Sequence, residues 1–156
     1  MPRRPSSSIP TEIVPAGTGT RRQVLIGPDV GPNFALRKFI MDPGGGMPLH
    51  TNTVEHEQYI LRGRARVVMG DEVLEVKQDD VVFIPGGVPH SYQALGEEPF
   101  EFLCAVPNLP DETKVLDRAA PEELEGTEEL AGTEDLKETE AQEMTDLVVP
   151  EDELGC

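Results

Sequence analysis

Two of the three histidines in this chain, His50 and His56, stand in PLHTNTVEHEQYILRG, residues 48–63, and the third, His90, stands in IPGGVPHSY. Imidazole binds divalent transition metals and exchanges protons near neutral pH, so three histidines brought together could hold an ion or move a proton. Alternation along a strand puts His50 and Asn52 on one face and Thr51 on the other. After the turn TVE, His56, Gln58 and Ile60 share a face of the next strand. A tight hairpin over this stretch makes His50, Asn52 and His56 converge. His90 follows PGGVP, in which Gly86 and Gly87 open backbone conformations closed to other residues and Pro85 and Pro89 limit flexibility. Such a corner aims one side chain.

The elements that must position these residues are strands. From Arg21 to Asn108 short apolar or alternating runs follow one another: RQVLIG, FALRKFIM, EQYILRG, RARVVMG, EVLEV, DVVFIP, HSYQAL and FEFLCAV. Gly63 separates two of them, and Gly70-Asp71 suits a two-residue hairpin turn. Eight or nine such strands with no helical pattern between them predict an all-β antiparallel sandwich or barrel. Residues 1–20, rich in Pro, Ser, Gly and Thr, read as a flexible arm, with room for a short pairing segment near Ile13 and Val14. Residues 111–156 carry 17 acidic and 3 basic side chains, most of the chain's formal charge of −17. Their hexads LEGTEE, LAGTED and LKETEA place Leu124, Leu130 and Leu136 at a spacing that drifts around a helix, so this acidic low-complexity tail reads as disordered.

A chain of 156 residues holds one ordinary domain. Its acidity and the lack of a basic stripe argue against nucleic acid as a partner. No apolar run reaches the length of a membrane span, and MPRRPSSSIP lacks the apolar stretch of a signal peptide. The expectation is a cytoplasmic protein without membrane contact.

PGGGMPLHTNTVEHEQYILRG resembles the first motif of the cupins, and DDVVFIPGGVPHSYQA the second. RRQVLIG, PNFALRKFIMDPGG, EHE and FEFLCAVP resemble, more narrowly, small single-domain cupins in which four histidines hold a manganese ion. The resemblance covers Arg21 to Asn108, within a domain taken as 21–110, and implies a double-stranded β-helix, the jelly-roll barrel of that family, and a homodimer. Carried over residue by residue, its four ligand positions fall on His50, Asn52, His56 and His90. Asp79 and Ala94 also depart from the second motif, at a turn glycine and a variable asparagine.

An amide oxygen at Asn52 is a weak, hard ligand, so the resemblance implies manganese or iron, with zinc, nickel or copper as alternatives. Three imidazoles with open positions suit a catalytic site better than a structural one. The sequence reading is a small metal-dependent oxidative enzyme of dioxygenase type, acting on a small molecule within the barrel. The other reading is a non-catalytic cupin that binds or senses a small molecule. Gln58, Tyr92 and Cys104 are candidate pocket residues. Each has a plainer reading, as a polar filler, a packed aromatic and a buried thiol.

Overall fold

The computed structural model describes residues 3–116. The acidic hexads at 124–141 lie outside the described residues. Alternating burial builds ten strands within them: β1 Glu12–Ile13, β2 Thr18–Ile26, β3 Phe34–Thr51, β4 His56–Arg62, β5 Arg64–Met69, β6 Glu72–Lys77, β7 Val81–Ile84, β8 His90–Leu95, β9 Phe100–Pro107 and β10 Lys114–Val115. A 3-10 turn at Ser6–Ser8 precedes them. Among the described residues no helix is long and apolar enough to cross a membrane.

The strands curl in the order β6-β5-β8-β3-β9-β4-β7, with β2 also on β3 and every pair antiparallel. β3 belongs to both halves of the barrel. Its Phe34–Met41 part pairs with β9, and its Gly46–His50 part pairs with β8. Asp42-Pro43-Gly44-Gly45 is the corner between them. A Cβ on Gly46 would stand 2.0 Å from the Tyr92 carbonyl oxygen, so only glycine lets β8 dock there. Inward positions on successive strands supply the core: Met41, Ile60, Val67, Ile84, Phe100 and Phe102 are almost wholly buried. The alternate positions face outward, polar or charged on β5 and β6 for the most part but apolar at Tyr59, Val81 and Phe83. This is the double-stranded β-helix expected from the sequence, and β5 and β6 form the hairpin expected at Gly70-Asp71.

Three local expectations meet a different structure. Residues 48–63 do not form a hairpin, because β9 lies between β3 and β4 and takes the pairing of both. The N-terminal arm has the short pairing segment expected near Ile13, with Glu12 and Ile13 on β2, and it packs further than its composition implied: Ile9 is buried, and Gln23 Nε2 donates to the Ile9 carbonyl at 2.8 Å. Residues at the start of the acidic segment also join the barrel. Lys114 and Val115 pair with Thr51 and His50, and the Leu116 N–H donates to the Leu49 carbonyl at 2.8 Å. Composition hid this last contact, since it requires only two paired residues.

Candidate metal centre

Three strands bring the histidines together. His50 on β3 lies directly opposite His90 on β8, their ring centroids 4.1 Å apart and the rings tilted by 52°. His56 on β4 meets His90 edge-on, at 5.5 Å between centroids. His50 and His56 thus meet across the barrel, on either side of His90, and not through a hairpin. The PGGVP corner is docked on the loop that leads to His56: the Gly87 N–H donates to the Asn52 carbonyl at 2.7 Å, and a Cβ on Gly86 would stand 2.6 Å from the Thr53 carbonyl oxygen. The entries to His56 and His90 are therefore held by one backbone contact.

The ring nitrogens are assigned by their partners. His50 Nδ1 lies 2.8 Å from the Pro48 carbonyl and His90 Nδ1 lies 2.9 Å from the Val88 carbonyl. A carbonyl only accepts, so Nδ1 carries the proton and Nε2 presents a lone pair. The Nε2 atoms of His56 and His90 are buried and have no hydrogen-bond partner. Burial, helped by the Arg37 charge, pushes His56 down to about 3. Burial brings His90 to about 4 and lowers His50 as well. All three rings are neutral at pH 7, the state a metal requires.

The donor chemistry fits a divalent ion. The geometry is not that of a closed cage: among the described residues no three His, Cys, Asp or Glu side chains are arranged to hold a metal ion. Neutral rings this close pack on one another, and the tilt between His50 and His90 reflects that packing.

Asn52, the departure from the four-histidine pattern, is turned toward the C-terminal segment. Its Nδ2 donates to Asp111 Oδ2 at 3.0 Å and to Thr113 Oγ1 at 2.8 Å. Thr53 adds a bond from its N–H to Asp111 Oδ1, at 3.0 Å, and its hydroxyl oxygen accepts from the Glu112 N–H, also at 3.0 Å. Residues 110–116 form a strap along β3, and Thr113 and Val115 face the cavity beneath it.

That cavity, of about 320 Å³, also contains Gln58, Tyr92 and Cys104, so the pocket candidates surround the histidines. Gln58 Nε2 donates to the Tyr92 hydroxyl at 2.6 Å, leaving Gln58 Oε1 buried without a partner. Burial raises Tyr92, and burial raises Cys104 too, so both keep their protons at neutral pH. Among the described residues no carboxylate lines this cavity. A larger concavity, about 1170 Å³, lies over the outward side chains of β5 and β8 and contains no histidine, so the chemistry belongs to the smaller space.

Sequence reasoning missed Arg37, Asp111 and Thr113. The signal for Arg37 was parity: it falls between Ala35 and Phe39 on a strand whose odd positions turn inward. The other two were hidden in the acidic composition that follows them.

The sequence profile of the cupin domain matches residues 37–106. An uncharacterized protein of Methanocaldococcus jannaschii is 32% identical over 98 residues, covering 60% of this chain and 78% of that protein. The chain belongs to the cupin family. This cupin is also similar to 1-methylthio-D-xylulose 5-phosphate methylsulfurylase of Rhodospirillum rubrum, 37% identical over 97 residues that cover 58% of this chain and 62% of that enzyme. Among solved structures, the polyketide cyclase RemF from Streptomyces resistomycificus superposes with a TM-score of 0.67 at 30% identity, covering 76% of this chain and 88% of that one. The two enzyme names describe different reactions, so the shared barrel does not specify the chemistry of this chain.

Proposed function

We propose that this cupin is a small-molecule enzyme in which His50, His56 and His90 hold a divalent metal, manganese or iron, and that its reaction is oxidative. The supporting observation is the pair of buried, partnerless Nε2 atoms beside a third imidazole. An unsatisfied buried polar atom costs about 1–3 kcal/mol, and a metal would satisfy His90 Nε2 and, with His56 in the same tautomer, His56 Nε2 as well. His50 and His90 are held in the metal-binding tautomer by the Pro48 and Val88 carbonyls. Asn52 could add only its Oδ1, because its Nδ2 is committed to the strap. When bound, the metal supplies Lewis acidity and open coordination positions for a substrate and an oxidant.

The protein around it supplies little acid–base chemistry. Tyr92 and Cys104 stay protonated, and among the described residues no carboxylate lines the cavity. A reaction that leans on the metal rather than on a protein base suits such a site. Phe39, Met41, Met47 and Phe102 form an apolar wall of the cavity.

The second reading, a cupin that binds a small molecule without turning it over, is favoured by the absence of a preformed three-ligand arrangement among the described residues. Elemental analysis of protein purified without added metal, followed by calorimetric titration with Mn(II), separates the two. The enzyme reading expects about one ion per chain and loss of that ion in His56→Ala and His90→Ala. Binding that survives both substitutions, or no binding at all, would leave the metal-free reading.

A further inference from the structure

On the inward face, Gln58 of β4, Cys104 of β9 and Arg37 of β3 lie directly opposite one another, forming a row across three strands. Arg37 Nη2 stands 3.7 Å from Cys104 Sγ, its Cζ lies 5.6 Å from the Phe39 ring centroid, and its Nε is buried without a partner. It has no carboxylate partner among the described residues. Arg22, the other arginine of the cavity, is paired with Glu12 at 3.2 Å. The half-buried Arg37 therefore brings to the cavity a positive charge that no carboxylate among the described residues pairs, open to an incoming anion. At the other end of the row, Gln58 is 5% exposed and its Oε1 is an acceptor with nothing to accept. Turning the amide would exchange this for an unpaired Nε2, because the Tyr92 hydroxyl can donate as well as accept, so in either orientation one polar atom of Gln58 is left without a partner.

We propose that the Arg37–Cys104–Gln58 row is the substrate-recognition end of the cavity. It takes a small, largely apolar monoanion whose carboxylate pairs with Arg37 and whose hydroxyl or N–H donates to Gln58 Oε1. With Arg22 paired to Glu12, the Arg37 guanidinium matches one further negative charge, and a planar carboxylate can engage it through two parallel hydrogen bonds. Phe39 and Phe102, stacked with their centroids 5.2 Å apart, offer the apolar body of the ligand a wall beside that charge. This names the substrate class of the proposed enzyme and rests on that reading for its place in catalysis. Recognition of the anion needs no metal.

The test uses the full chain, freed of metal, and calorimetry with 4-hydroxybenzoate, benzoate, 4-hydroxybenzyl alcohol and phenyl phosphate as probes. The carboxylates should bind, 4-hydroxybenzoate more tightly than benzoate, and Arg37→Met should weaken both by roughly tenfold or more while changing the alcohol by less than about twofold. Gln58→Leu should remove the advantage of 4-hydroxybenzoate over benzoate. In the unsubstituted protein the Arg37 Nε–H resonance should shift when 4-hydroxybenzoate is added, a readout that does not depend on any variant folding. Carboxylate affinity unmoved by Arg37→Met, an Arg37 resonance that stays in place, or tighter binding of the phosphate dianion than of either carboxylate would overturn the proposal. Because no metal is present, these outcomes leave the metal question to the Mn(II) titration.

Discussion

At the scale of single residues, the histidines behave as buried neutral bases. His56 and His90 titrate at about 3 and about 4 in the folded protein because burial disfavours the charged ring, whereas an unfolded chain protonates them near the ordinary value of 6.5. Between those limits the unfolded state binds more protons than the folded one. The contribution of these groups to stability is thus present above pH 6.5 and falls as the pH drops toward 4. The slope is at most ~1.4 kcal/mol per pH unit for each ring. Thermal melts of the metal-free protein at pH 7 and pH 5 should show a clear loss at the lower pH, and His56→Gln should flatten it. A melting temperature equal at the two pH values would show that the rings are already solvated or charged.

Among the elements, β3 and the strap decide how the site is closed. β3 carries Arg37 and His50 on one continuous strand, bent at the PGGG corner so that the two residues serve different halves of the barrel. The strap is held to the loop after β3 by Asn52 and Thr53, with Asp111 accepting from both. A charged acceptor makes such bonds worth roughly 1.5–3 kcal/mol, enough to order a short segment that otherwise has one two-residue pairing. Asn52→Leu should therefore free the strap. Hydrogen exchange at the Glu112 and Leu116 amides should speed up, with little change at the Ile60 amide inside the barrel. Unchanged protection at Glu112 and Leu116 would mean that the strand pairing alone holds the strap. Replacing the fourth histidine position with asparagine has then a structural consequence that spacing could not reveal, because the partner lies 59 residues away.

For the whole molecule, the antiparallel barrel was legible in strand alternation and turn residues, whereas the gathering of His90 with His50 and His56 came from the resemblance to the two cupin motifs. The route by which they gather was not legible. A hairpin is the shortest closure of residues 48–63, and only the global strand order, with β9 between β3 and β4, excludes it. Long-range pairing leaves no mark in a window of a few residues, which is also why β10 and the buried Ile9 were read as parts of loose ends. The central claim is that the three imidazoles are metal ligands through Nε2. Its most direct test is a Mn(II) titration of isotope-labelled protein followed by long-range imidazole nitrogen–proton spectra. The account predicts Nδ1–H tautomers for His50 and His90 before metal is added, and selective paramagnetic loss of the His50, His56 and His90 ring signals at substoichiometric Mn(II). Ring signals that persist undiminished through a full equivalent of Mn(II) would contradict it.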